Sequence, residues 1–96
     1  MTTEQKIQIS LLSERVGSFY DELNKSELFL ATREDDLGSV IISGNREGLT
    51  YLASIILSLA TEASEGQHYH FDRSSVLAEC QRSLIIQFES IPSGEQ

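Results

Sequence analysis

The stretch Ser39-Val40-Ile41-Ile42-Ser43-Gly44-Asn45-Arg46-Glu47-Gly48-Leu49-Thr50-Tyr51-Leu52-Ala53 decides the fold, because the period of its apolar residues changes partway along it. Up to Ser43 the residues are β-branched and closely spaced, which is the pattern of a short strand, and Gly44-Asn45 closes it with a tight turn. Beyond that turn Leu49, Leu52, Ala53, Ile56, Leu59, Ala60 and Ala63 recur at intervals of three and four, which predicts a helix from Asn45 to Ser64. Asn45 is a favoured N-cap, Glu47 complements the positive end of the helix dipole, and Gly66 suits the stop at the other end. Gly48 in the first turn costs up to about 1 kcal/mol relative to Ala, so a close backbone approach is expected there. Ile55 and Leu57 widen the apolar arc, so the helix should touch more than one layer or a second subunit.

Working outward, Leu28 to Thr32 reads as a strand that forms a hairpin with Ser39–Ser43 through the polar segment from Arg33 to Gly38. After the helix, His68 to Asp72 alternates polar and aromatic residues, and Leu84 to Glu89 is a strong strand with an apolar run at its start. Ser74 to Arg82 between them reads as too polar for a core element, with Ser75 able to cap a helical turn through Glu79. Near the start, Leu12, Val16, Phe19, Tyr20 and Leu23 predict a helix from Ser10 to Asn24, whereas Ile7 and Ile9 alternate as in a strand. Residues 1–6 and 91–96 are expected to fray, and Pro92 cannot extend a ladder. The expectation is one α+β domain over residues 1–96, with a small antiparallel sheet of about four strands in the order ββαββ. One long helix packs on that sheet, with an additional N-terminal helix beside it.

The 96 residues carry 15 Asp and Glu against 7 Lys and Arg, a formal net charge of −8. Binding to phosphate backbones or anionic lipid depends on clustered cations, so nucleic acid and membrane surfaces are poor partners. A basic protein is the better one, since the acidic excess steers it. No stretch approaches the roughly 20 apolar residues of a membrane span, and the first residues have no signal-like apolar run. Cys80 is the only cysteine, which excludes an internal disulfide and favours a reducing, cytoplasmic setting.

His68-Tyr69-His70-Phe71-Asp72 is the most suggestive constellation, because residues two apart on a strand share a face and His, His and carboxylate are metal-ligand types. It resembles the first part of the His-x-His-x-Asp-His motif of metallo-β-lactamase-like hydrolases, but Arg73 stands in the last position and the chain has only two histidines. The competing reading places Tyr69 and Phe71 on the core and His68, His70 and Asp72 on the wetter face, with Cys80 a small buried residue. There is no Gly-x-Ser-x-Gly elbow, and Gly44 to Gly48 lacks the lysine and the glycine spacing of a phosphate loop. No catalytic residue and no cofactor are therefore assigned. Glu34-Asp35-Asp36 is the densest acidic cluster and a candidate binding surface.

Ile42 to Ala53, Gly66-Gln67-His68-Tyr69-His70-Phe71-Asp72 and Ser83-Leu84-Ile85-Ile86 together resemble the small α+β immunity proteins of bacterial polymorphic toxin systems. In that family a glycine turn into an apolar helix precedes a Gly-x-His-x-His strand. The resemblance runs from about Val40 to Phe88 and implies a cytoplasmic protein, without catalysis of its own, that binds and blocks a toxin domain, often a nuclease. Two other classes remain open: a metal-dependent hydrolase using His68, His70 and Asp72, and a structural or regulatory domain. The candidate partner-binding residues are Glu34, Asp35, Asp36, His68, His70 and Asp72, and the wide helix arc with uncovered strand edges leads us to expect a homodimer.

Overall fold

The computed structural model describes residues 1–62, 64–72 and 76–90. Helix α1 spans Thr3–Glu22, a short 3-10 turn spans Lys25–Glu27, strand β1 spans Leu30–Glu34 and strand β2 spans Val40–Gly44. Helix α2 then spans Arg46–Glu62, followed by β3 (His68–Phe71), β4 (Glu79–Cys80) and β5 (Leu84–Gln87). The expectations that fell on Ala63, Ser75 and residues 91–96 lie outside the described residues.

The turn from β2 into α2 forms as its sequence dictates, and Asn45 holds it from both sides. Its Oδ1 accepts the Gly48 N–H at 2.8 Å, the N-cap bond, and also the Phe29 N–H at 3.1 Å. Its Nδ2 donates to the Glu27 carbonyl at 2.6 Å, and its own N–H to the Phe29 carbonyl. The cap therefore ties the helix to the chain entering β1. The close approach expected at Gly48 is real: a Cβ there would stand 1.8 Å from the Phe29 carbonyl oxygen. Gly66 adopts φ +82°, in a turn past the end of α2 that leads into β3.

β1 and β2 form the expected hairpin, antiparallel with Thr32 opposite Ile42. Its turn is closed by Asp35, whose Oδ1 accepts the Leu37 and Ser39 N–H groups, and by Gly38 at φ +85°. The single antiparallel sheet of four strands is replaced by two sheets among the described residues. One has the order β2-β1-β4, and in the other β3 pairs antiparallel with β5. The cause is β4. Glu79 and Cys80 run parallel to Ala31 and Thr32, with the Ala78 N–H donating to the Leu30 carbonyl and the Gln81 N–H to the Thr32 carbonyl. That occupies the second edge of β1, so the other two strands pair with each other. The segment read as too polar for the core thus contributes an edge strand and the buried Leu77.

α1 begins seven residues earlier than the periodicity indicates. Thr2 and Gln5 form a reciprocal capping box, so residues 3–6, expected to fray, make a capped first turn, and Ile7 and Ile9 are helical. α1 contributes no buried residue of its own and lies against α2, where Tyr20 meets Tyr51 at 5.4 Å between ring centroids. The core is Leu30, Leu52, Phe71 and Leu77, flanked by Tyr51, Ile55, Leu84 and Ile86. Each such burial contributes about 1.5–3 kcal/mol before conformational entropy is set against it.

Candidate partner-binding site

The six candidate residues fall into two groups on different sheets. Glu34, Asp35 and Asp36 sit at the end of β1 and in the hairpin turn of the mixed sheet, whereas His68, His70 and Asp72 lie on or just after β3.

The acidic group is largely engaged. Glu34 forms an ion pair with Arg82, whose guanidinium holds the Glu34 carboxyl below its ordinary value of 4.5. Asp35 spends Oδ1 on the turn backbone. Asp36 is exposed beside Leu37, which is 92% exposed and is the most open large apolar side chain at the hairpin tip. A second ion pair, Arg33 with Glu79 at 2.9 Å, also crosses from β1 to β4. Sequence reasoning missed Arg33, Glu79 and Arg82, since their pairing exists only once β4 lies against β1.

On β3 burial is confined to the last residue. Phe71 is 2% exposed and packs edge-on against Tyr51, their centroids 6.3 Å apart, whereas Tyr69, expected on the core beside it, is 37% exposed. His68 and His70 share the exposed face with centroids 4.8 Å apart, and the His68 Nδ1–H donates to the Gly66 carbonyl at 2.8 Å. That bond orients the His68 imidazole against the turn, and the His70 ring meets it edge to face at an interplanar angle of 62°. Asp72 follows on the same segment and is half-buried. Among the described residues no group of three or more His, Cys, Asp or Glu side chains is gathered to hold a metal ion. The hydrolase alternative therefore has no donor set to rest on among them. Cys80 is half-buried at the rim of the core, with its thiol directed to the Arg82 carbonyl at 3.3 Å.

Two apolar features complete the surface. A groove between α1 and α2 is lined by Phe19, Leu23, Arg46, Glu47, Leu49 and Thr50. Along α2, Leu52 and Leu59 are buried whereas Leu49, Ala53, Ile56 and Ala60 remain exposed. The wide arc read from the sequence accordingly touches the sheet and α1 and still leaves one stripe uncovered. No helix of the described residues is long and apolar enough to cross a membrane.

The sequence profile described as Immunity protein 32 matches residues 39–89, just over half of the chain, from the turn before β2 to the end of β5. No curated protein and no solved structure matches.

Proposed function

The chain belongs to the Immunity protein 32 family, and on that premise we propose that it neutralises a cognate toxin domain by direct binding, with no reaction of its own. The observation that carries this reading is the extent of the family match, which takes in the Asn45-capped helix and the paired histidines of β3 together. The partner is a basic toxin domain, an assignment supported by the net charge of −8, and the encounter takes place in the cytoplasm, where a lone thiol stays reduced. Asp36 at the hairpin tip and His68, His70 and Asp72 on β3 are the contact residues, with Glu34 and Asp35 fixing the shape of the tip. The chain acts as a homodimer.

The test is co-expression with toxin domains encoded beside its gene, scored by survival of the host and by recovery of the complex on purification. Survival with a 1:1 complex is the expected result, and the H68A/H70A double variant should bind at least tenfold more weakly while keeping its helical spectrum. A chain that rescues from none of those toxins and recovers none of them sinks the reading.

A further inference from the structure

The two edges of the mixed sheet are built differently. At the β4 edge the strand is only two residues long, and it is bracketed by the Arg33–Glu79 and Glu34–Arg82 ion pairs. Short, charged edges of this kind resist pairing with another chain. At the other edge β2 runs for five residues without a charge, a proline or a partner strand among the described residues, and Val40, Ile41 and Ile42 are 52%, 42% and 40% exposed.

We propose that a second copy of this chain pairs with the free edge of β2, antiparallel about a two-fold axis through Ile42. The statement rests on the homodimer reading above and adds the surface, the register and the symmetry.

The backbone fixes the register. The Asp35 N–H donates to the Ser39 carbonyl and the Asn45 N–H to the Phe29 carbonyl, so the odd residues of β2 turn their polar groups toward β1. Val40, Ile42 and Gly44 then direct theirs outward. These three positions are symmetric about Ile42, so an antiparallel copy sets Ile42 against Ile42, and Val40 against Gly44, with each donor facing an acceptor. A one-residue slip would break that match.

The side chains agree with the backbone. Val40, Ile42 and Gly44 share the face of the sheet on which α2 lies, since a Cβ at Gly44 would meet the Leu49 Cγ at 3.2 Å. A two-fold axis normal to the sheet keeps both copies of α2 on that face and brings the uncovered stripe of Leu49, Ala53, Ile56 and Ala60 toward its own symmetry mate.

Charge selects the occupant. Two copies that each carry −8 repel over most of their surfaces, and the contacting positions of β2 and the α2 stripe are free of charge. A basic partner would forgo its electrostatic attraction there.

The proposal is tested by sedimentation velocity on the full chain from 1 to 100 µM, beside Ile42→Lys and two single-cysteine variants in a Cys80→Ser background. Ile42→Cys is placed opposite its own copy, about 5.5 Å between Cα atoms, within disulfide range. Leu37→Cys at the hairpin tip is the control. A wild-type dimer is expected, with a dissociation constant raised at least 100-fold by Ile42→Lys and a cross-linked dimer from Ile42→Cys but not from Leu37→Cys. Should Ile42→Lys fail to fold, the cross-link decides. A dimer that resists Ile42→Lys and does not cross-link at position 42 overturns the surface while leaving dimerisation intact. A wild-type chain monomeric at 100 µM overturns both, and if its Ile42→Lys form also loses toxin protection, the edge belongs to the toxin. Survival with co-expressed toxin is scored separately, so the immunity reading stands or falls on its own.

Discussion

Gly48 carries a constraint unlike that of an ordinary helix glycine. In an exposed helix Ala would stabilise its position by up to about 1 kcal/mol. Here the added methyl would overlap the Phe29 carbonyl oxygen, which is fixed backbone. Gly48→Ala is therefore expected to destabilise by about 3 kcal/mol, read as a lower urea midpoint at unchanged slope. Asn45 is a second such position, because its amide serves the helix and the strand at once. Asn45→Ala should cost about 2 kcal/mol or more, beyond the usual loss of a cap, since it leaves the Phe29 N–H and Glu27 carbonyl without their partner. Asn45→Asp keeps the cap and loses only the Nδ2 donor, so its urea midpoint should fall between those of the wild type and Asn45→Ala. Both residues were legible in the sequence: the cap from its place before the periodic run, and the close approach from a glycine where a helix disfavours one. Asn45's bonds to the 27–29 segment were not legible, because they join residues 16 and 18 apart.

At the scale of elements, strands and helices were legible in proportion to their length. α2 and the four strands of three or more residues carry enough apolar pattern to be read, although ends shifted by up to two residues. α1 was read only over its second half, because Thr3 to Ser10 is polar apart from Ile7 and Ile9, and that pair fits either period. β4 was illegible: two residues, one of them charged, have no period, and its identity comes from the edge of β1 that receives it. The Glu34–Arg82 pair that closes this edge gives a pH dependence. The guanidinium lowers the folded-state pKa of Glu34, so its contribution is present above 4.5 and is lost as pH falls below that value through the depressed one. Glu34→Gln should lower the urea midpoint at pH 7, and the gap to wild type should narrow progressively as the pH is taken below 4.5. Salt at 1 M should narrow it as well, because the pair is solvent-screened.

For the whole molecule, the candidate residues were legible as types but not as a surface. Sequence placed Glu34, Asp35 and Asp36 in one cluster, yet folding directs the first to Arg82 and the second to its own turn, which leaves Asp36 outward. The paired imidazoles on one face of β3 were foreseeable from the two-residue spacing alone. If the acidic excess steers the toxin, raising salt from 50 to 500 mM should slow association by at least tenfold while dissociation changes little, measured by stopped-flow mixing. An equal effect on both rates would remove charge from the explanation.

The order of synthesis adds something to the strand pairing. β1 lies at the centre of its sheet, but the contact that closes its second side, from the Thr32 hydroxyl to the Arg82 carbonyl just past β4, joins residues 50 apart. At translation rates of about 5–20 residues per second, that stretch takes roughly 2.5–10 s to emerge. A nascent chain therefore carries its central strand open on one side until β4 has emerged from the ribosome. A truncated copy lacking β4 leaves an adhesive edge on β1 where the folded protein has two ion pairs.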